Sequence, residues 1–324
     1  RSSASANLLR HLYRFAASFS NRMEKLMFQL DVKPETRETE LYENADYVTF
    51  WQGVQQQKLD ELEQCLVRQM LHLPSRRLLD VGCGYGRLLD AYLAQSTEVV
   101  LLDSSHSLLQ QAYARTGGRA LCIACDLHHL PFPAGVFDQV MMVRVFHHLP
   151  DSVAALTELG RVLGPGQNLL FSYCNKKNLE RVVRWLLGKN PYHPFRREPA
   201  WVWEIFYMHH PRQVESDLQT AGFSLQSVRG AGVVDKLAGI LGRAGRRFPP
   251  GAALAPLLGR LALAPWIFCD ARRSGEAALL PETPVADLLI CPDCQCRLEH
   301  LAEGWRCPRC DKFFALQAGV LNFL

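Results

Sequence analysis

The residues that could do chemistry fall into two groups, and the first is compact. Leu78 to Arg87 reads Leu-Leu-Asp-Val-Gly-Cys-Gly-Tyr-Gly-Arg. Its apolar start suits a parallel strand buried on both faces, and Gly82, Gly84 and Gly86 let the backbone turn sharply and approach a ligand closely. A helix opening after such a turn offers backbone N–H groups to a nucleotide-type ligand. The spacing is Asp-x-Gly-x-Gly-x-Gly rather than the Gly-x-Gly-x-x-Gly of dinucleotide sites, which makes a nicotinamide dinucleotide the weaker reading. Asp80 points the same way, because a carboxylate beside the turn repels pyrophosphate and attracts a cation. The second strand, Glu98 to Leu102, ends in Asp103, placed to accept both ribose hydroxyls of an adenosine. One ligand with a cationic amino-acid end and a ribose satisfies both carboxylates.

The second group is Cys291-x-x-Cys294, twelve residues, then Cys307-x-x-Cys310. Four thiolates from two tight turns form the tetrahedral shell that zinc favours, and a redox Cys-x-x-Cys pair is the competing reading. About 38 residues follow Ala286, too few for a stable apolar core. Metal binding would supply folding free energy on the order of 10 kcal/mol. Cys296 lies too close to Cys294 to replace it without distorting the turn.

The first group resembles the class I S-adenosylmethionine-dependent methyltransferases, particularly the large type 11 group. The resemblance continues through Asp126-Leu127, Leu130-Pro131-Phe132, Phe137-Asp138, His147-His148-Leu149 and Arg161-Val162-Leu163-Gly164-Pro165-Gly166, and covers about Leu78 to Ser172. It departs at Gly164-Pro165-Gly166-Gln167, where the family usually has Lys-Pro-Gly-Gly. It implies an α/β fold with a doubly wound, seven-stranded, Rossmann-like sheet carrying helical insertions. It also implies S-adenosylmethionine as cofactor and S-adenosylhomocysteine as product. The cofactor would be held by Asp80, Val81, Gly82, Cys83, Gly84 and Gly86, by Asp103 and Ser104, by Cys125, Asp126 and Leu127, and by Val143 and Arg144. Asp126 would accept from the adenine amino group. The second group, with Phe313-Phe314 and Gly319-Val320-Leu321, resembles the Trm112-like zinc ribbons, whose members are small partners of methyltransferases. Phe314-Ala315 replaces their usual Tyr-Pro.

These groups need a scaffold, and the pattern around them supplies one. Strand-like runs at 77–82, 98–103, 120–124, 137–143, 167–173, 223–229 and 265–271 alternate with helical ones. Ligands in such sheets bind beyond the carboxyl ends of the strands, where Gly82, Asp103, Cys125-Asp126 and Val143-Arg144 all fall. Residues 1–76 read as a helical segment covering the cofactor cleft. Leu8, Leu12, Phe15, Phe19, Met23 and Met27 recur at helical spacing, as do Leu59, Leu62, Leu66 and Met70, with Tyr47 and Trp51 as candidate lining residues. The methyltransferase domain then spans 77–272 with a helical cap at 175–210 and 231–264, a linker occupies 273–286, and the ribbon occupies 287–324.

Both cap segments are basic and amphipathic. Asn175 to Arg197 holds seven Lys or Arg against one acid, and Ala231 to Ala264 holds five against one. Across all 324 residues the formal charge is only +4, so nucleic acid is neither demanded nor excluded. Clustering of five of the eleven cysteines at Cys291 to Cys310 suggests metal in a reducing cytosol rather than a disulfide scaffold. No run of 18 apolar residues occurs, which allows peripheral membrane contact and argues against a spanning helix.

Methyl transfer from a sulfonium is an in-line displacement whose main demand is alignment in a dry site. His147 or His148, at the mouth of the fourth strand, could take a proton from a hydroxyl acceptor, while strand-end packing is their bland role. Val143-Arg144-Val145-Phe146 stands where methyltransferases of DNA and amide nitrogens carry Asn/Asp-Pro-Pro-Tyr, which disfavours such acceptors. The preferred expectation is a small apolar or amphipathic acceptor such as a natural product, quinone or lipid. The alternatives are an RNA acceptor bound through ribbon and basic insertions, and a degenerate cofactor-binding scaffold.

Overall fold

A computed structural model describes residues 49, 51, 53–203, 206–232, 250–277 and 279–324. The expected amphipathic helix before residue 28, Tyr47, and the apolar positions Leu237, Ile240 and Leu241 of the second insertion lie outside the described residues.

All seven expected strands form: β1 Ser75–Val81, β2 Ser96–Asp103, β3 Leu121–Ala124, β4 Phe137–Met142, β5 Leu163–Cys174, β8 Phe223–Ala231 and β9 Trp266–Arg273. They stand in the order β3-β2-β1-β4-β5-β9-β8, parallel through β5, with β9 antiparallel between β5 and β8. Side chains alternate across the sheet as a period of two requires. Leu79, Val81, Val100, Leu102, Ile123, Val140 and Met142 bury on one face with Leu156 and Leu159 of α3 (Ser152–Val162) and Leu218 of α5 (Pro211–Thr220). Leu78, Val99, Leu101, Cys122 and Met141 bury on the other. There they meet Leu62 and Leu66 of α1 (Val54–Met70), Leu109 of α2 (His106–Thr116) and Ala255 of α6 (Pro250–Arg260). Strands β1 to β4 therefore bury apolar residues on both sides, the doubly wound arrangement expected from the sequence.

One local expectation fails. The helix foreseen directly after Gly86 is replaced by two single 3-10 turns, Leu89–Ala91 and Leu93–Gln95, which bury Leu89 and bring Tyr92 inward. The first insertion forms α4 (Leu179–Leu186) and a hairpin of β6 (Ala200–Trp203) with β7 (Phe206–Met208). Leu186 is 70% exposed, and on α6 Leu257 is 55% exposed.

The ribbon continues the main sheet. Its strands β10 (Glu299–Leu301), β11 (Gly304–Arg306) and β12 (Phe313–Gln317) pair in sequence. From β12 the chain runs into β13 (Val320–Asn322), which pairs parallel to β3. The intervening stretch is held by the sheet's other end: Arg77, fully buried, donates to Glu98 at 2.5 Å and to the Thr283 carbonyl, and Val285 N–H donates to Glu98 at 2.8 Å. No helix among the described residues is long and apolar enough to cross a membrane.

Candidate active site and metal centre

Strand order puts four loop starts side by side: Cys125-Asp126, Asp103-Ser104, Gly82-Cys83 and Val143-Arg144. The glycine turn is fastened to β2 at two points. Gly82 and Cys83 N–H donate to the Leu102 carbonyl at 2.7 and 3.1 Å. Asp103 accepts from Gly84 N–H at 2.7 Å and from Ser105 N–H at 2.9 Å. Its two oxygens thus tie the glycine turn to the start of the loop that follows β2. Gly82 has φ +67°, and a Cβ there would sit 2.1 Å from Val145 Cγ2, so only glycine fits.

Asp80 is buried behind the turn and accepts from the Tyr92 hydroxyl at 2.5 Å. Burial pushes its carboxyl up to about 7, helped by Asp103, while Tyr92 and Arg87 pull the other way. Burial also pushes the thiols of Cys83 and Cys125 well up, so neither is a nucleophile at neutral pH. Asp126 is exposed and accepts from His128 N–H at 2.9 Å, with Leu127 buried beside it.

The remaining wall joins Arg144 and Trp51, both expected near the cleft, to Glu63, Arg87 and Trp266, which had no assigned role there. Glu63 of α1 is wholly buried, 2.7 Å from Arg87 and 2.8 Å from Nε of Arg144. Burial opposes its ionisation, but the Arg144 and Arg87 guanidiniums hold it below the usual carboxylate range. Trp51 lies 3.8 Å from Arg87, and Trp266 lies 3.4 Å from Arg144, both cation–π contacts. Arg144 has φ +67°, with its N–H on Ser172 Oγ at 3.0 Å. The sequence held a signal for Glu63: it sits four residues after Leu59 and three before Leu66, a charge inside an apolar stripe.

Four histidines gather at the ends of β4 and β7. His147 is buried, with its ring 3.9 Å from that of His148, 4.5 Å from Phe206 and 5.1 Å from Trp266. Burial, reinforced by His148, Arg144 and His209, lowers its pKa well below the imidazole norm. Burial brings His209 down to about 4 against the pull of Asp217, and its ring meets Phe146 at 4.7 Å. His210 is structural, since its Nδ1 accepts from Arg212 N–H at 3.2 Å and caps α5. A separate cavity of about 380 Å³ opens in the first insertion, lined among others by Lys176, Tyr192, His193, Arg196, Glu198 and Trp201.

In the ribbon, the ligand atoms of Cys291, Cys294, Cys307 and Cys310 all lie within 4.8 Å of one another. Three of their Sγ pairs stand at 3.4, 3.6 and 3.9 Å. A tetrahedron with Zn–S bonds of about 2.3 Å has edges of about 3.8 Å, so the four sulfurs fit a zinc ion. Against burial, the backbone N–H groups of Cys310 and Arg309 hold the Cys307 thiol down to about 6.

Residues 79–171 match the family model described as "Methyltransferase domain". That stretch of the chain is similar to a methyltransferase domain. Among relatives, a ubiquinone biosynthesis O-methyltransferase of Idiomarina loihiensis is 33% identical over 118 residues, 35% of this chain and 46% of that protein. A malonyl-[acyl-carrier protein] O-methyltransferase of Legionella pneumophila is 32% identical over 108 residues, 32% of this chain and 38% of that protein. The chain thus spans less than half the length of these two curated relatives. A chain of the solved complex that contains the Haloferax volcanii Trm112 methyltransferase activator aligns with a TM-score of 0.52 at 16% identity. That alignment covers 74% of this chain and all of that one, a likeness of fold.

Proposed function

We propose that this chain transfers a methyl group from S-adenosylmethionine to a small apolar or amphipathic acceptor. The observation that carries the reading is Asp103, whose carboxylate holds Gly84 N–H and Ser105 N–H together at the carboxyl edge of the sheet. Asp80, Val81, Gly82, Cys83, Gly84 and Gly86 would enclose the methionine end, Asp103 and Ser104 the ribose, Cys125, Asp126 and Leu127 the adenine, and Val143 and Arg144 the side facing the acceptor. Bound there, the cofactor would supply an electrophilic methyl on a sulfonium. The chain would orient the acceptor, exclude water and place a base.

His148, half-buried beside a His147 that burial keeps neutral, is the candidate to accept a hydroxyl proton. Acceptors of the quinone and acyl type are supported by the named relatives, and the cavity at Lys176 and Arg196 would suit an anionic group on such a molecule. Cys291, Cys294, Cys307 and Cys310 would hold one structural zinc with no open coordination position and hence no catalytic part. Calorimetry with S-adenosylhomocysteine, followed by labelled methyl transfer into fractionated lipid extracts, tests this. Absence of cofactor binding would refute the reading. Label appearing in RNA instead would favour the second one, which exposed Lys189, Arg196 and Arg197 beside Phe195 and Trp201 support.

A further inference from the structure

The two insertions leave a continuous set of aliphatic side chains facing outward. On α4, Leu179, Val183 and Leu186, with Leu187 capping its end, are 48, 45, 70 and 60% exposed. At 3.6 residues per turn the three helical residues share a sector of about 60°. Leu254 and Leu257 of α6, with Leu261 just beyond its end, are 47, 55 and 53% exposed, while Ala252 and Ala255 bury against the sheet. Backbone and amide bonds stitch the two segments together. Leu179 N–H donates to the Leu263 carbonyl at 3.0 Å, and the Asn175 amide donates to the carbonyls of Ala262 and Ala264 at 2.9 and 2.8 Å. The start of one stripe therefore adjoins the end of the other.

Exposed leucines in this number are unusual on a chain that meets only water. Their neighbours identify what they meet. Lys189, Arg196, Arg197 and Arg260 are all exposed around them, and Phe195 and Trp201 add exposed aromatic rings. Glu180, half-buried and 3.9 Å from Arg184, is the acid on α4. A second copy of the chain would bring this basic rim against its own like, which Coulomb repulsion opposes. Nucleic acid would match the charge but leave the aliphatic stripes unmatched. An anionic bilayer meets both demands, because aliphatic side chains enter the headgroup boundary while cations sit among the phosphates.

We infer that α4 and α6 together form a docking face for the surface of an anionic membrane, and such docking requires no methyl transfer. The test is flotation of the full chain with vesicles of phosphatidylcholine alone and of phosphatidylcholine mixed with phosphatidylglycerol. The chain should float with the mixed vesicles, release as salt rises, and stay behind with phosphatidylcholine alone. Val183→Ser with Leu186→Ser and Leu257→Ser should weaken flotation about tenfold or more, as should Lys189→Glu with Arg197→Glu and Arg260→Glu. Melting temperature and affinity for S-adenosylhomocysteine should be unchanged in both. If the triple serine variant melts early, the single Leu186→Gln, at a position 70% exposed, keeps the test readable. The inference is overturned by flotation equal on both vesicle types, or by a serine variant that floats like the parent. It is also overturned by a dimer that the serine variant splits, or by RNA binding that only the charge variant loses.

Discussion

Asp103 spends both oxygens on Gly84 and Ser105 N–H, so removing it should loosen the turn as well as the ligand. Asp103→Ala should lose about 1.5 to 3 kcal/mol of affinity for S-adenosylmethionine, the usual loss for a charged hydrogen-bonding partner. Unchanged affinity by calorimetry would remove Asp103 from the site. Asp80 makes a different prediction, because its carboxyl is raised from 3.8 to about 7, chiefly by burial. Below pH 4 it is protonated folded and unfolded alike. Between about 4 and 7 the unfolded chain loses this proton and the folded chain keeps it, so its contribution to stability falls as pH rises and levels off above 7. The full fall is on the order of 4 kcal/mol. The difference in unfolding free energy between the parent and Asp80→Asn, followed from pH 4 to 8, should show that slope. A flat difference would mean that Asp80 ionises freely. A cofactor ammonium beside Asp80 would favour the ionised form, so binding should tighten as pH rises towards 7.

At the scale of elements, α1 is joined to the cleft by one buried carboxylate serving two guanidiniums. Glu63→Leu would leave the largely buried Arg144 without its carboxylate and Arg87 with Asp60 alone, at a cost of about 3 kcal/mol. Denaturant unfolding should show the loss, and Arg144→Met in the same background should restore part of it. Because Glu63 is held below its ordinary pKa, its contribution is present above about pH 4.5 and fades as pH falls through the lower folded value. The strands were legible in the sequence because β1, β2 and β4 carry apolar residues in succession, Leu78-Leu79, Val99 to Leu102 and Val140 to Met142, that bury on both faces. The glycine turn and Asp103 were legible because their residue types allow few other conformations. For Glu63 only its place in the apolar stripe was legible, and for Arg87 and Tyr92 not even that, since the partners of all three lie on other elements and only the assembled sheet brings them together. The segment after Gly86 misled for a similar reason: its apolar spacing suits a helix, yet Leu89 and Tyr92 reach the core through 3-10 turns.

For the whole molecule, the sequence marks the ribbon by its four cysteines and conceals what it is attached to. The pairing of Val320, Leu321 and Asn322 with Cys122, Ile123 and Ala124 is contact between segments far apart in the chain, which local pattern does not encode. The linker reading of 273–286 predicts that truncation near Gly275 leaves the methyltransferase domain folded. The contacts argue otherwise. Without the ribbon, β3 becomes a bare edge, Leu289, Trp305 and Phe314 leave the buried cluster that also holds Leu130 and Phe132, and Arg77 loses the Thr283 carbonyl. At Gly319, φ is +80° and a Cβ would lie 2.3 Å from Tyr113 of α2, a close fit between ribbon turn and domain. Zinc should therefore stabilise the sheet from a distance. Metal-free chain prepared with a chelator should melt lower not only in the ribbon but at β3, seen as faster amide exchange at Cys122 and Ile123, and zinc should restore both. Exchange at β3 indifferent to zinc would show instead that the ribbon is an independent passenger on the sheet.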